Sequence, residues 1–150
     1  MRITAGRHKG KTLELVALKD PVFIGDLLAA KFRSEAQKLL QAEARRLVEV
    51  FDRRAFLWRC AGRDCGRMAT LCSIYKSDVF NPMWWCDACD PWQFGARREA
   101  LHVIRTYRDA LNFCTALGDP TAMRDLVRAL AEAKGLAGPK VAHADAFFNG

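Results

Sequence analysis

The stretch 60-CAGRDCGRMATLCSIYKSDVFNPMWWCDAC-89 decides the fold, because it sets two close cysteine pairs, Cys60/Cys65 and Cys86/Cys89, twenty residues apart. Thiolates are soft ligands, and four of them complete a tetrahedral shell around zinc. Each pair is short enough to sit on one tight turn. The twenty residues between them suit a hairpin that runs out and brings the second pair back to the first. Its strands are predicted over 67–75 and 79–85. An all-cysteine shell keeps no open coordination position, so Zn²⁺ here is read as structural and not as an activator of water.

Other readings of these sulfurs stay open. The same four residues could ligate an iron–sulfur cluster. "CDAC" could be a thioredoxin-like redox pair, although that motif opens a helix after a buried strand and here a proline turn follows. Cys72 and Cys114 have no paired spacing and read as small buried hydrophobes. Cys72 or a histidine such as His102 in place of one ligand is a further alternative. Trp58, Trp84, Trp85 and Trp92 flank the pairs. They could anchor a small metal module to surrounding helices, or stack on bases or a protein partner.

Outward from the cysteines the chain reads as helix-rich. "MRIT" and "KTLELV" are predicted as a β-hairpin with "AGRHKG" as its turn. In "LKDPVFIGDLLAAK" Asp20 is the N-cap, Pro21 the first helical residue, and Phe23, Ile24, Leu27 and Leu28 the apolar stripe. Residues 31–58 read as a long amphipathic helix with Phe32, Ala36, Leu39, Leu40, Leu47, Val50 and Phe51 inward. Beyond the cysteines, 94–118 reads as a helix through Ala100, Leu101, Ile104, Tyr107, Leu111 and Phe113, stopped by Gly118. Residues 119–135 form another helix. The predicted fold is α+β, in four parts: a basic β-hairpin with helices (1–57), the metal module (58–92), C-terminal helices (93–135) and a flexible tail (136–150).

Charge is uneven. Residues 1–59 carry 13 Lys/Arg against 7 Asp/Glu, 60–92 carry 3 against 4, and 93–150 carry 8 against 6. The positive field thus belongs mainly to the first part, and a basic face attracts polyanions. Arg7, His8, Lys9 and Lys11 at the hairpin tip, with Arg45, Arg46, Arg53 and Arg54 on the long helix, are the candidate nucleic-acid contacts. No apolar run is long enough to span a membrane. The N-terminus lacks the apolar core of a signal peptide, which leads to a cytoplasmic protein in a reducing compartment.

"GRHKGKT", residues 6–12, looks like a phosphate loop but is not one. Such a loop needs four residues between its glycines, a buried strand before it and a helix after it. Gly6 and Gly10 have three between them. The stretch instead resembles the small C-terminal accessory module of exodeoxyribonuclease X-like proteins, through Gly6, His8, Lys9, Gly10, Lys11, Leu13, Asp20, Pro21, Phe23, Ile24 and Leu27. It departs from that pattern at Ala5, Arg7 and Asp26. The resemblance covers about the first 30 residues and implies an accessory role in DNA work, favouring DNA over RNA, without nuclease activity. Residues 60–89 in turn resemble a four-cysteine zinc ribbon.

No metalloprotease, hydrolase-elbow or dinucleotide motif is present, so no catalytic residue is assigned. The leading reading is a small zinc protein that binds nucleic acid, mostly without sequence preference, or assists a nucleic-acid-processing enzyme. The second is an adaptor or inhibitor that meets a protein partner through its Trp-rich zinc module. A metal-dependent hydrolase is the third.

Overall fold

The computed structural model describes residues 1–89, 91–92 and 101–150. Among them are helices α1 (Leu13–Lys19), α2 (Pro21–Ala29), α3 (Glu35–Arg53), α4 (Tyr107–Leu117), α5 (Pro120–Ala133) and α6 (Val141–Asn149) and strands β1 (Leu71–Tyr75), β2 (Asp78–Trp85) and β3 (Leu101–Ile104). The strands make one antiparallel sheet in the order β2-β1-β3. No helix among the described residues is long and apolar enough to cross a membrane.

Local chemistry explains most helix starts. The Asp20 carboxylate accepts from Phe23 N–H and Pro21 follows at the first helical position, so α2 begins where the sequence predicts. Ser34 caps α3 and Glu35 stands in its first turn, on the favourable side of the helix dipole. Thr106 and Asp109 close a reciprocal capping box on α4. Gly118, at φ 64° in the left-handed region, ends that helix.

The C-terminal ends of the first three helices are closed from a distance. Tyr107 Oη donates to Ala17 O of α1 at 2.6 Å. Gln41 Nε2 donates to Leu27 O and Ala30 O at the end of α2, at 2.8 and 2.7 Å. Lys134 Nζ donates to Phe51 O at 2.8 Å and Asp52 O at 3.3 Å near the end of α3. Helix ends leave carbonyls without intrahelical partners, and these three buried side chains supply the donors.

The main core gathers Leu13, Val16, Leu47, Phe51, Leu126 and Leu130 from α1, α3 and α5 with Phe147 of α6. A second, smaller cluster of Cys60, Leu71, Trp85 and Cys86 lies on the other face of the sheet region. Trp85 is fully buried there, and its Nε1 donates to Ser73 Oγ at 2.8 Å. Trp84, the neighbour on the opposite side of β2, packs instead on the main core beside Phe56. The two tryptophans thus anchor the cysteine-bearing hairpin from both faces.

Four expectations are corrected. The N-terminal hairpin is reduced to a single bridge between Arg2 and Thr12. From Leu13 onward Leu13, Val16 and Ala17 are buried at helical spacing, and the Thr12 side chain accepts from Leu15 N–H, so the chain winds into α1. Leu101–Ile104 is a strand, not helix, because Cys72, Ser73, Ile74 and Tyr75 of β1 pair with it. Helix starts only at Tyr107, and the predicted portion at 94–100, with Ala100, lies outside the described residues. The expected flexible tail contains α6, whose Ala144, Phe147 and Phe148 are buried at i, i+3, i+4 spacing. The long helix is also shorter than predicted, at Glu35–Arg53, with Leu39 62 % exposed.

Candidate metal centre

β1 and β2 form the expected out-and-back hairpin, and both cysteine pairs sit at its open end. Thr70 N–H donates to Trp85 O at 2.7 Å and Ala61 N–H to Trp84 O at 2.8 Å, which ties the first pair's loop to β2. A short arm carries that loop: Arg59 bridges Met68, and Cys60 N–H donates to Arg67 O at 2.9 Å. Inside it Cys65 N–H reaches Gly62 O at 3.2 Å, with Asp64 left-handed at φ 53°. Asp and Asn tolerate that conformation better than other side chains do. On the second pair, Cys89 N–H points at Cys86 O at 3.4 Å, closing a tight turn.

The four sulfurs Cys60, Cys65, Cys86 and Cys89 lie within 4.8 Å of one another, so they could hold a metal ion. A tetrahedral ion at about 2.3 Å from each sulfur requires roughly 3.8 Å between sulfurs. Cys65 Sγ and Cys86 Sγ are 3.8 Å apart, far beyond a disulfide bond. Gly62 is part of this packing. Its N–H donates to Cys60 Sγ at 3.3 Å, and a Cβ on it would meet Cys89 Sγ at 2.5 Å. Thr70 Oγ1 and Arg105 Nη1 both donate to Asp87 Oδ1, at 2.9 and 2.6 Å, which pins the second turn to the segment between β3 and α4.

As four thiolates, the group would need a cation in its middle. Desolvation works to raise the Cys86 thiol, but N–H groups of Ala88 and Cys89 and the neighbouring thiols outweigh it and bring the pKa down to about 7. Cys89 moves the other way, up to about 12, because the sulfurs of Cys60 and Cys86 crowd it. Four thiolates cannot coexist at this spacing without a positive charge among them. Cys72 and Cys114 are not in this group. Cys72 is wholly buried and burial pushes it up to about 12, and Cys114 is pushed up to about 11, so both behave as packing residues. His102 packs on Phe113 instead.

The candidate nucleic-acid contacts are mostly occupied within the molecule. Arg7 Nη2 and His8 Nε2 both reach Asp20 Oδ2 at 2.7 Å, and Lys11 Nζ is 3.4 Å from His8 Nδ1. The loop therefore clasps the N-terminus of α2. Arg46 forks onto Glu43 at 2.9 and 2.6 Å and also reaches Asn149. Arg54 Nε donates to Phe147 O at 2.8 Å with its guanidinium over the Phe147 ring. Arg45 leans on Gln41 Oε1 and Arg53 on Glu49 O, both from exposed positions. Lys9 is exposed, without a side-chain partner among the described residues. The residue that spacing did not reveal is Gly62, since only the folded turn brings it against Cys89.

Comparison with family models, with curated proteins and with solved structures finds no match.

Proposed function

We propose that Cys60, Cys65, Cys86 and Cys89 hold a structural zinc ion, and that the protein binds nucleic acid with little sequence preference, as an accessory to a nucleic-acid-processing enzyme. The observation that carries the metal reading is the convergence of four sulfurs from two turns to within 4.8 Å. All four sulfurs lying within 4.8 Å of one another fits one ion better than an iron–sulfur cluster, whose several irons set some of the ligands farther apart. The nucleic-acid reading is supported by the net charge of +7 and by the resemblance of the first 30 residues to an accessory module of DNA exonucleases. A structural role fits a centre with no place left for a substrate.

Metal analysis of the purified protein tests the first half, with about one zinc per chain expected. Gly62→Ala puts a methyl into Cys89 Sγ, so it should lower both zinc content and thermal stability. Absence of zinc, or an unaffected Gly62→Ala protein, would remove the centre. For the second half, affinity for DNA and RNA is measured at two salt concentrations. A steep fall with salt is expected, and no binding at low salt by a folded, zinc-loaded protein would favour the adaptor reading.

A further inference from the structure

The arm carrying the first cysteine pair stands out as a prong. Between Trp58 and Ala69 only Cys60 and Ala69 are buried, with Gly62 and Cys65 half-buried and every other residue exposed. Its limbs are held by the Arg59–Met68 bridge and by Ala69 N–H to Trp58 O at 2.8 Å. Antiparallel pairing places Trp58 and Arg67 on one side of the arm and Arg59 and Met68 on the other. Trp58 is 40 % exposed, and its ring stands perpendicular to Trp84 with centroids 4.9 Å apart, which fixes its attitude. Arg59 Nη1 donates to Gly66 O at 3.3 Å, so this guanidinium lies across the turn.

These cations differ from Arg7 and Arg46 of the N-terminal part. Among the described residues neither Arg59 nor Arg67 has a carboxylate partner, whereas Arg7 and Arg46 are neutralised by Asp20 and Glu43. A guanidinium without a carboxylate keeps its full attraction for a phosphate, and a fixed, open indole offers a face to a base.

We infer that this prong is the nucleic-acid contact, with Arg59 and Arg67 on backbone phosphates and Trp58 stacked on an unpaired base of a single strand. The inference rests on the nucleic-acid reading above and gives it a place. A single strand is the partner because a paired base shows no free face to Trp58, and the prong is neither a helix nor a ribbon long enough to fill a groove. The metal shapes the prong, so the contact depends on it.

The test uses the full zinc-loaded chain, with anisotropy of a labelled oligothymidine of about 12 nucleotides, within the span that one small binding module covers. An abasic strand of equal length and a duplex serve as comparators. The oligothymidine should bind tightest. Trp58→Ala should weaken it roughly ten-fold and erase its advantage over the abasic strand, while Trp58→Phe keeps most of it. Arg59→Ser with Arg67→Ser should cut the slope of log affinity against log salt by about 1.4, at roughly 0.7 per phosphate on a single strand. Arg124→Ser with Arg128→Ser on α5, whose guanidiniums are paired with Asp125 and Glu132, serves as the control and should change little. Zinc content and melting temperature show that each variant is folded.

If wild type binds but the prong variants bind equally well, the prong is overturned and the nucleic-acid reading stands. Binding of duplex over single strand overturns the stacking role. Failure of wild type to bind any of the three at low salt overturns both, and assigns the exposed Trp58 and Met68 to a protein partner.

Discussion

Asp20 gathers three partners on one carboxylate. Its Oδ1 accepts from Phe23 N–H at 3.3 Å, while Oδ2 takes Arg7 and His8, so the same group starts α2 and holds down the N-terminal loop. Partial burial acts to raise its pKa. Hydrogen bonds from His8 and Phe23 and the charges of Arg7 and His8 overcome that and leave it below the ordinary carboxylate value. A carboxyl with a depressed native pKa stabilises fully above its unfolded value of about 3.9. That contribution is lost as pH falls through the native value. Urea midpoints measured from pH 6 down to pH 2.5, about the span of carboxylate titration, should therefore drop more steeply for wild type than for Asp20→Asn. Parallel curves would mean that the clasp contributes nothing. Loss of the cap in Asp20→Ala should cost about 1 kcal/mol at neutral pH.

At the scale of elements, the convergence of the four cysteines and the start of α2 were legible because their signals are local. Cysteine spacing sets the turns directly, and Asp-Pro sets a helix start by chemistry within three residues. The hairpin β1–β2 was legible for the same reason, through the return it must make. β3 was not, because Leu101–Ile104 becomes a strand only when β1, some thirty residues earlier, offers it an edge. The Thr106–Asp109 box was present in the sequence and marks the true start of α4. α6 was missed because a nine-residue helix shows only about two and a half turns of period and takes its order from α1 and Phe51. The end of α3 depends likewise on a distant residue. Lys134 is 3 % exposed, with its ammonium over the rings of Phe51 and Phe56 as well as on two carbonyls. Desolvation lowers its pKa, and nearby Asp52 works against that. Lys134→Met fills the space but leaves Phe51 O and Asp52 O without their donor. It should cost about 1–3 kcal/mol by urea unfolding, and a neutral result would show that water replaces the ammonium.

Across the whole molecule, α6 turns an apparent tail into part of the core. Phe147 is 3 % exposed, with its ring against those of Phe51 and Phe148 and under the Arg54 guanidinium. Phe147→Ala should destabilise by about 3–5 kcal/mol, a large share of what a domain of this size commands. A loss under about 1 kcal/mol in thermal or urea unfolding would place the last helix outside the cooperative unit.

The long-range closures of α1, α2 and α3 carry a consequence for how the chain is made. As it leaves the ribosome, the segment up to residue 57 holds Gln41 and can finish α2, yet α1 waits for Tyr107 and α3 for Lys134. The first and third helices of the nascent chain should thus stay frayed until residue 134 has emerged. Cutting the gene in two would yield halves that recover order only on being mixed.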